Sequence, residues 1–151
     1  MKRIFRWLII VFILIQFVRP DRNYSEITEL DYSNELRVSK EVKEILEVSC
    51  VDCHSNDTEY PWYGEIAPIS WYLAYHVNDG KEHLNFSEWN SYNKNQKEHI
   101  LKDLKEELED QNMPLKSYLL LHNKAKLSEQ QYELLLEWVN SIVIDSSKRE
   151  I

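Results

Sequence analysis

The chain has 151 residues, a formal net charge of −8 and 43% hydrophobic residues, enough for one domain with a compact core. Only two glycines and four prolines interrupt it, which predicts a largely helical fold. From residue 20 onward 14 basic residues face 26 acidic ones, a net −12, which lacks the basic footprint of a nucleic-acid binder and suits a basic protein partner or a merely solvated surface.

The first segment differs from the rest. Lys2, Arg3 and Arg6 precede the apolar run Trp7 to Val18, a basic region followed by a hydrophobic one. As helix this run covers about 18 Å, or about 22 Å counted from Ile4, against roughly 30 Å of bilayer hydrocarbon. Length alone favours a signal peptide. The flank Arg19-Pro20-Asp21-Arg22 argues otherwise, because no alanine occurs before Ala67 to make a small-residue cleavage site, and no cysteine follows the run for lipid attachment. The expectation is an uncleaved signal-anchor over residues 1–19, with its basic end inside. The protein is then anchored in the inner membrane, with its domain on the periplasmic side of the cell envelope.

Residues 20–38 are polar and acidic with scattered Ile27, Leu30, Tyr32 and Leu36, and read as a tether that partly packs on the domain. The domain itself is assigned to residues 39–145. Ser39 is a helix N-cap, and Val42, Ile45 and Leu46 recur at three-and-four spacing, so a helix runs to about Cys50. Ser55 to Glu59 is a polar turn, and Tyr60 to Ile69 an aromatic loop punctuated by Pro61 and Pro68. A short helix is predicted over Ser70 to Val77, ended by Asn78-Asp79-Gly80. Leu84 to Asn90 is a second aromatic loop. A helix from Asn93 or Asn95 to Asp110 carries the stripe Ile100, Leu101, Leu104 and Leu108, with Lys102/Glu106 and Lys105/Glu109 on the opposite face. Ser117 to Asn123 is an apolar turn. Ser128 to Gln131 is a capping box, with Leu127 and Tyr132 as its hydrophobic staple. The last helix then presents Tyr132, Leu135, Leu136, Val139, Ile142 and Val143 to the core and frays from Ser146.

The two cysteines of the chain fall in Cys50-Val51-Asp52-Cys53-His54. Cys-x-x-Cys-His is the attachment signature of c-type haem. Two thiols on one turn can add to the two vinyl groups along one porphyrin edge, and the adjacent imidazole then supplies an axial nitrogen to the iron. A redox disulfide would need a βαβ context, and no strand-rich pattern is present. Half of a zinc site would draw thiols from elsewhere, and there are none. His54 is therefore read as the proximal iron ligand. Met113, in Asn112-Met113-Pro114 at the end of a helix, is the leading candidate for the distal one, since a soft thioether there raises the reduction potential. His76 is the runner-up and His122 comes next. His83 and His99 read as surface residues.

The order of these features resembles a single-haem c-type cytochrome. More closely, the chain resembles a bacterial haem-binding domain family. The likeness rests on Cys50 to Asn56, the Tyr60-Pro61-Trp62-Tyr63 segment, the Ala67-Pro68-Ile69-Ser70-Trp71 helix start and the Asn85-Phe86-Ser87-Glu88-Trp89 loop. It covers about residues 40–143 and implies an all-α, cytochrome c-like domain around one covalent haem c. The implied role is electron transfer with redox partner proteins rather than enzymatic turnover. The alternative is a haem-based sensor or peroxidase-type enzyme with a displaceable sixth ligand and His76 as distal acid–base.

Overall fold

The structure, a computed structural model, describes residues 1–24 and 36–148. Among these residues the fold is all-α, with no strand. The described residues form six helices: α1 (Lys2–Ile15), α2 (Lys40–Ser49), α3 (Ile69–His83), α4 (Lys94–Glu109), α5 (Lys116–Leu119) and α6 (Glu129–Lys148). Short 3₁₀ turns occupy Trp62–Glu65, Phe86–Ser91 and Asn123–Ala125. Ile27, Leu30 and Tyr32 of the expected tether lie outside the described residues.

The caps read from the sequence at Ser39 and Ser128 are in place, and Asn93 adds a third. Ser39 Oγ accepts from the Val42 amide at 3.2 Å. Asn93 and Gln96 form a reciprocal capping box at the start of α4, as do Ser128 and Gln131 before α6. Each box satisfies amides that a helix start leaves without partners. The helices α4 and α6 pack along each other, and α2 lies on α6. Val42, Ile45 and Leu46 of α2, Ile100, Leu101 and Leu108 of α4, and Leu135, Trp138 and Val139 of α6 form the core. Phe86 and Trp89, from the expected aromatic loop, are buried at its centre. Leu36 is buried there too, and its carbonyl accepts from Trp138 Nε1 at 3.2 Å.

The amino-terminal anchor is not supported. No helix among the described residues is long and apolar enough to cross a membrane. The helix α1 has 14 residues and so covers about 21 Å. Residues 16–22 do not extend that span; they are bound to the domain. Gln16 grips Ala67 twice, accepting from its amide at 2.9 Å and donating to its carbonyl at 3.1 Å. Trp71 Nε1 donates to the Val18 carbonyl at 2.7 Å, and Arg19 and Arg22 both pair with Glu65. This corrects the expected signal-anchor, the membrane as a partner and the inner-membrane, periplasmic-side placement.

Two helices outrun their expected ends. The helix α3 continues through Gly80 to His83 instead of stopping near Val77, and α6 continues to Lys148. Gly80 keeps a negative φ, so it does not act as a left-handed terminator.

Candidate functional site

The helix α2 ends at Cys50, whose amide still bonds to the Leu46 carbonyl at 2.9 Å. The Cys50 carbonyl then accepts from two amides, Cys53 at 3.2 Å and His54 at 3.0 Å. That pair of bonds coils Cys50 to His54 into one turn and sets both thiols and the imidazole on it. Both cysteines are free and half-buried.

The end of α3 brackets this turn. Gly80 is buried, and a methyl group on it would meet the Cys53 carbonyl oxygen at 2.9 Å and the Cys53 Cβ at 3.4 Å. Only a residue without a side chain lets the helix come so close. Four residues on, the Leu84 carbonyl lies 3.0 Å from His54 Nδ1. A carbonyl can only accept, so Nδ1 carries the proton and Nε2 keeps its lone pair. The Phe86 amide donates to the His54 carbonyl at 2.8 Å.

The motif's continuation, Ser55-Asn56, interlocks with the Asn85 to Trp89 loop. The Asn56 amide donates to Ser87 Oγ at 3.0 Å, and Asn85 Nδ2 to Asn56 Oδ1 at 2.8 Å. Asn23 closes the other side: its Nδ2 donates to the Ser55 carbonyl at 2.7 Å and to Thr58 Oγ1 at 2.8 Å, while Lys81 donates to its Oδ1. Sequence reasoning missed Asn23, because nothing local to it signals a partner.

Electrostatics separate the readings of the thiol pair. Burial, then the neighbouring Cys53 charge, pushes the Cys50 thiol up to about 12. Burial, then Asp52, pushes Cys53 up to about 11. Redox Cys-x-x-Cys pairs depend on a thiol pKa lowered to or below neutrality; these shift the opposite way. Among the described residues no group of three or more His, Cys, Asp or Glu is arranged to hold a metal ion. Burial lowers the His54 pKa, partly opposed by its bonds to the Leu84 and Gly80 backbone, which keeps the imidazole neutral and able to ligate.

Met113 lies half-buried after α4, and its carbonyl accepts from Tyr132 Oη at 2.9 Å. Burial, then the neighbouring Glu129 and Cys50, raise the pKa of the Tyr132 hydroxyl. The remaining histidines are placed differently. His76 packs against Tyr72 and Tyr75, and its Nδ1 bonds to the Tyr72 carbonyl of its own helix. His83 is exposed, and His99 is exposed and paired with Asp103. His122 stacks on Tyr118 with ring centroids 3.9 Å apart, and its Nε2 lies 3.1 Å from Tyr63 Oη.

The model of the haem-binding domain family matches residues 10–141. The chain belongs to that family. No curated protein and no solved structure matches it significantly. The donor set fits the group that the family name implies. Two free thiols on one turn and a neutral imidazole fixed through Nδ1 are the parts that c-type attachment uses. In this haem-binding domain, the Cys50 to Asn56 and Asn85 to Trp89 motifs meet at the carboxy-terminal end of α3, while the Ala67 to Trp71 motif forms its amino-terminal start.

Proposed function

We propose that this haem-binding domain is a monohaem c-type cytochrome-like electron carrier. Cys50 and Cys53 hold haem c through two thioethers, His54 Nε2 is one axial ligand and the Met113 thioether is the other. The observation that carries the reading is the 3.0 Å approach of His54 Nδ1 to the Leu84 carbonyl. It fixes the tautomer and the ring plane, and leaves the far nitrogen for iron, as the outer hydrogen-bond partner of a ligating histidine does. The haem supplies one-electron chemistry at its iron. The chain holds it, excludes water and sets its potential through the axial ligands and burial.

The sensor or peroxidase reading has less behind it, because His76 is held by its own helix and its two tyrosine neighbours. The test is the absorption spectrum of purified protein, oxidised and reduced, with and without carbon monoxide. A carrier gives a low-spin ferric spectrum with a sulfur-to-iron charge-transfer band and a ferrous form that resists carbon monoxide. Met113→Ala then loses the band and binds carbon monoxide, and Met113→His keeps six coordination at a lower potential. Immediate carbon monoxide binding by the unmodified protein, with peroxide turnover, would instead establish the sensor or peroxidase reading. An unchanged spectrum in Met113→Ala, with loss of the low-spin signal in His76→Ala, would move the ligand to His76.

A further inference from the structure

The segment from Met113 to His122 is fastened at three points, each to a different part of the molecule. Tyr132 Oη of α6 donates to the Met113 carbonyl at 2.9 Å. Tyr72 Oη of α3 donates to Ser117 Oγ at 3.1 Å. Tyr118 Oη donates to Asp52 Oδ2 at 2.6 Å, and Asp52 is inside the Cys-x-x-Cys-His turn itself. This third bond is the short one and ends on a carboxylate, the combination that makes a hydrogen bond strong.

Asp52 is well placed as a hub. Its other carboxylate oxygen accepts from the Glu59 amide at 3.1 Å, and its carbonyl accepts from Thr58 Oγ1 at 2.7 Å. On the other side Tyr118 is braced by the stacked ring of His122, which in turn meets Tyr63 Oη. A rigid donor and a rigid acceptor thus join the attachment turn to the chain just after Met113.

We infer that Tyr118 is a positioning residue, whose bond to Asp52 clamps the Met113-bearing segment onto the attachment turn and sets how firmly the sixth iron position is closed. The inference rests on the reading of Met113 as a ligand and adds what holds it there. The hydroxyl makes the clamp, since the Tyr118 ring remains packed on His122 without it.

The test uses Tyr118→Phe in the full chain, compared with Asp52→Asn, which keeps an acceptor oxygen, and Asp52→Ala, which removes it. In the haem-loaded protein, Tyr118→Phe and Asp52→Ala should bind carbon monoxide in the ferrous state and imidazole in the ferric state roughly tenfold more tightly, the equivalent of one hydrogen bond to a charged group. The sulfur-to-iron band should weaken in parallel, and Asp52→Asn should stay close to the unmodified protein. A second readout needs no haem. Amide exchange of Leu119, Leu121 and His122, whose N–H groups bond within this segment, should speed up in haem-free Tyr118→Phe. Sealed iron and unchanged exchange in Tyr118→Phe would overturn the inference. Faster exchange with no covalent haem in any variant would keep the clamp and remove the electron-carrier reading.

Discussion

Gly80→Ala separates what a helix prefers locally from what the attachment turn demands. Inside a helix, alanine for glycine normally stabilises by about 0.5–1 kcal/mol. Here the new methyl would stand 2.9 Å from the Cys53 carbonyl oxygen and 3.4 Å from Cys53 C and Cβ. These atoms belong to, or sit directly on, a backbone turn pinned by the Cys50 carbonyl, so the turn or the end of α3 must shift. Overpacking of that kind costs about 1–3 kcal/mol. The net expectation is a loss of about 1–2 kcal/mol, or a fall of roughly 3–8 °C in Tm for a chain of this size. Thermal unfolding of the haem-free chain measures it, with Gly64→Ala as the control. At Gly64 the nearest atom to a new methyl is Leu73 Cδ2 at 3.1 Å, the tip of a side chain that can move, so the cost there is smaller. The displaced turn should also lower the fraction of Gly80→Ala that carries covalent haem. A Gly80→Ala chain more stable than its parent would show that helix propensity alone governs the position and that the close approach is not real.

The raised thiol pKa values predict that Cys53 in the folded, haem-free chain alkylates on the order of 100-fold more slowly at pH 8 than in denaturant, and Cys50 more slowly still, because so little thiolate is present; reactivity should climb only as pH nears 11 for Cys53 and 12 for Cys50. Equal rates in the two states would contradict the burial that raises them. Tyr132→Phe removes the donor to the Met113 carbonyl and should cost about 0.5–1.5 kcal/mol in a denaturant titration; no loss would mean that the bond does not form in solution. Asn23→Ala takes away the donor to the Ser55 carbonyl and should cost about 1–3 kcal/mol. An Asn23→Ala chain as stable as its parent would show that the segment after α1 does not brace the motif.

The helices that pair in the core were legible because their signals are local. The Ser128-x-x-Gln131 box and the stripe Ile100, Leu101, Leu104, Leu108 each state their structure within a few residues. The Cys50 to His54 turn stood out for a chemical reason, since thiol spacing and an adjacent imidazole have few other uses together. Gly80 was misread because its neighbours Asn78 and Asp79 suggest a turn, whereas its purpose is set by Cys53, far away in sequence. The apolar run Trp7 to Val18 announced hydrophobicity without its destination. Gln16, set within that run, was the clue to a different end, because an amide side chain inside an apolar stretch needs a partner, and Ala67 provides it. Asp52 and Tyr118 gave no signal at all. An acid in the variable part of a motif and a tyrosine in an apolar turn become a pair only once the chain is folded.

The proposed carrier stands or falls with covalent attachment of haem to Cys50 and Cys53. Intact mass spectrometry of the protein made in a host that matures c-type cytochromes tests it most directly. The mass should rise by that of one haem, retained after acid–acetone extraction and abolished in a Cys50→Ala, Cys53→Ala double variant. A chain of unmodified mass, or haem that the extraction removes, would contradict it.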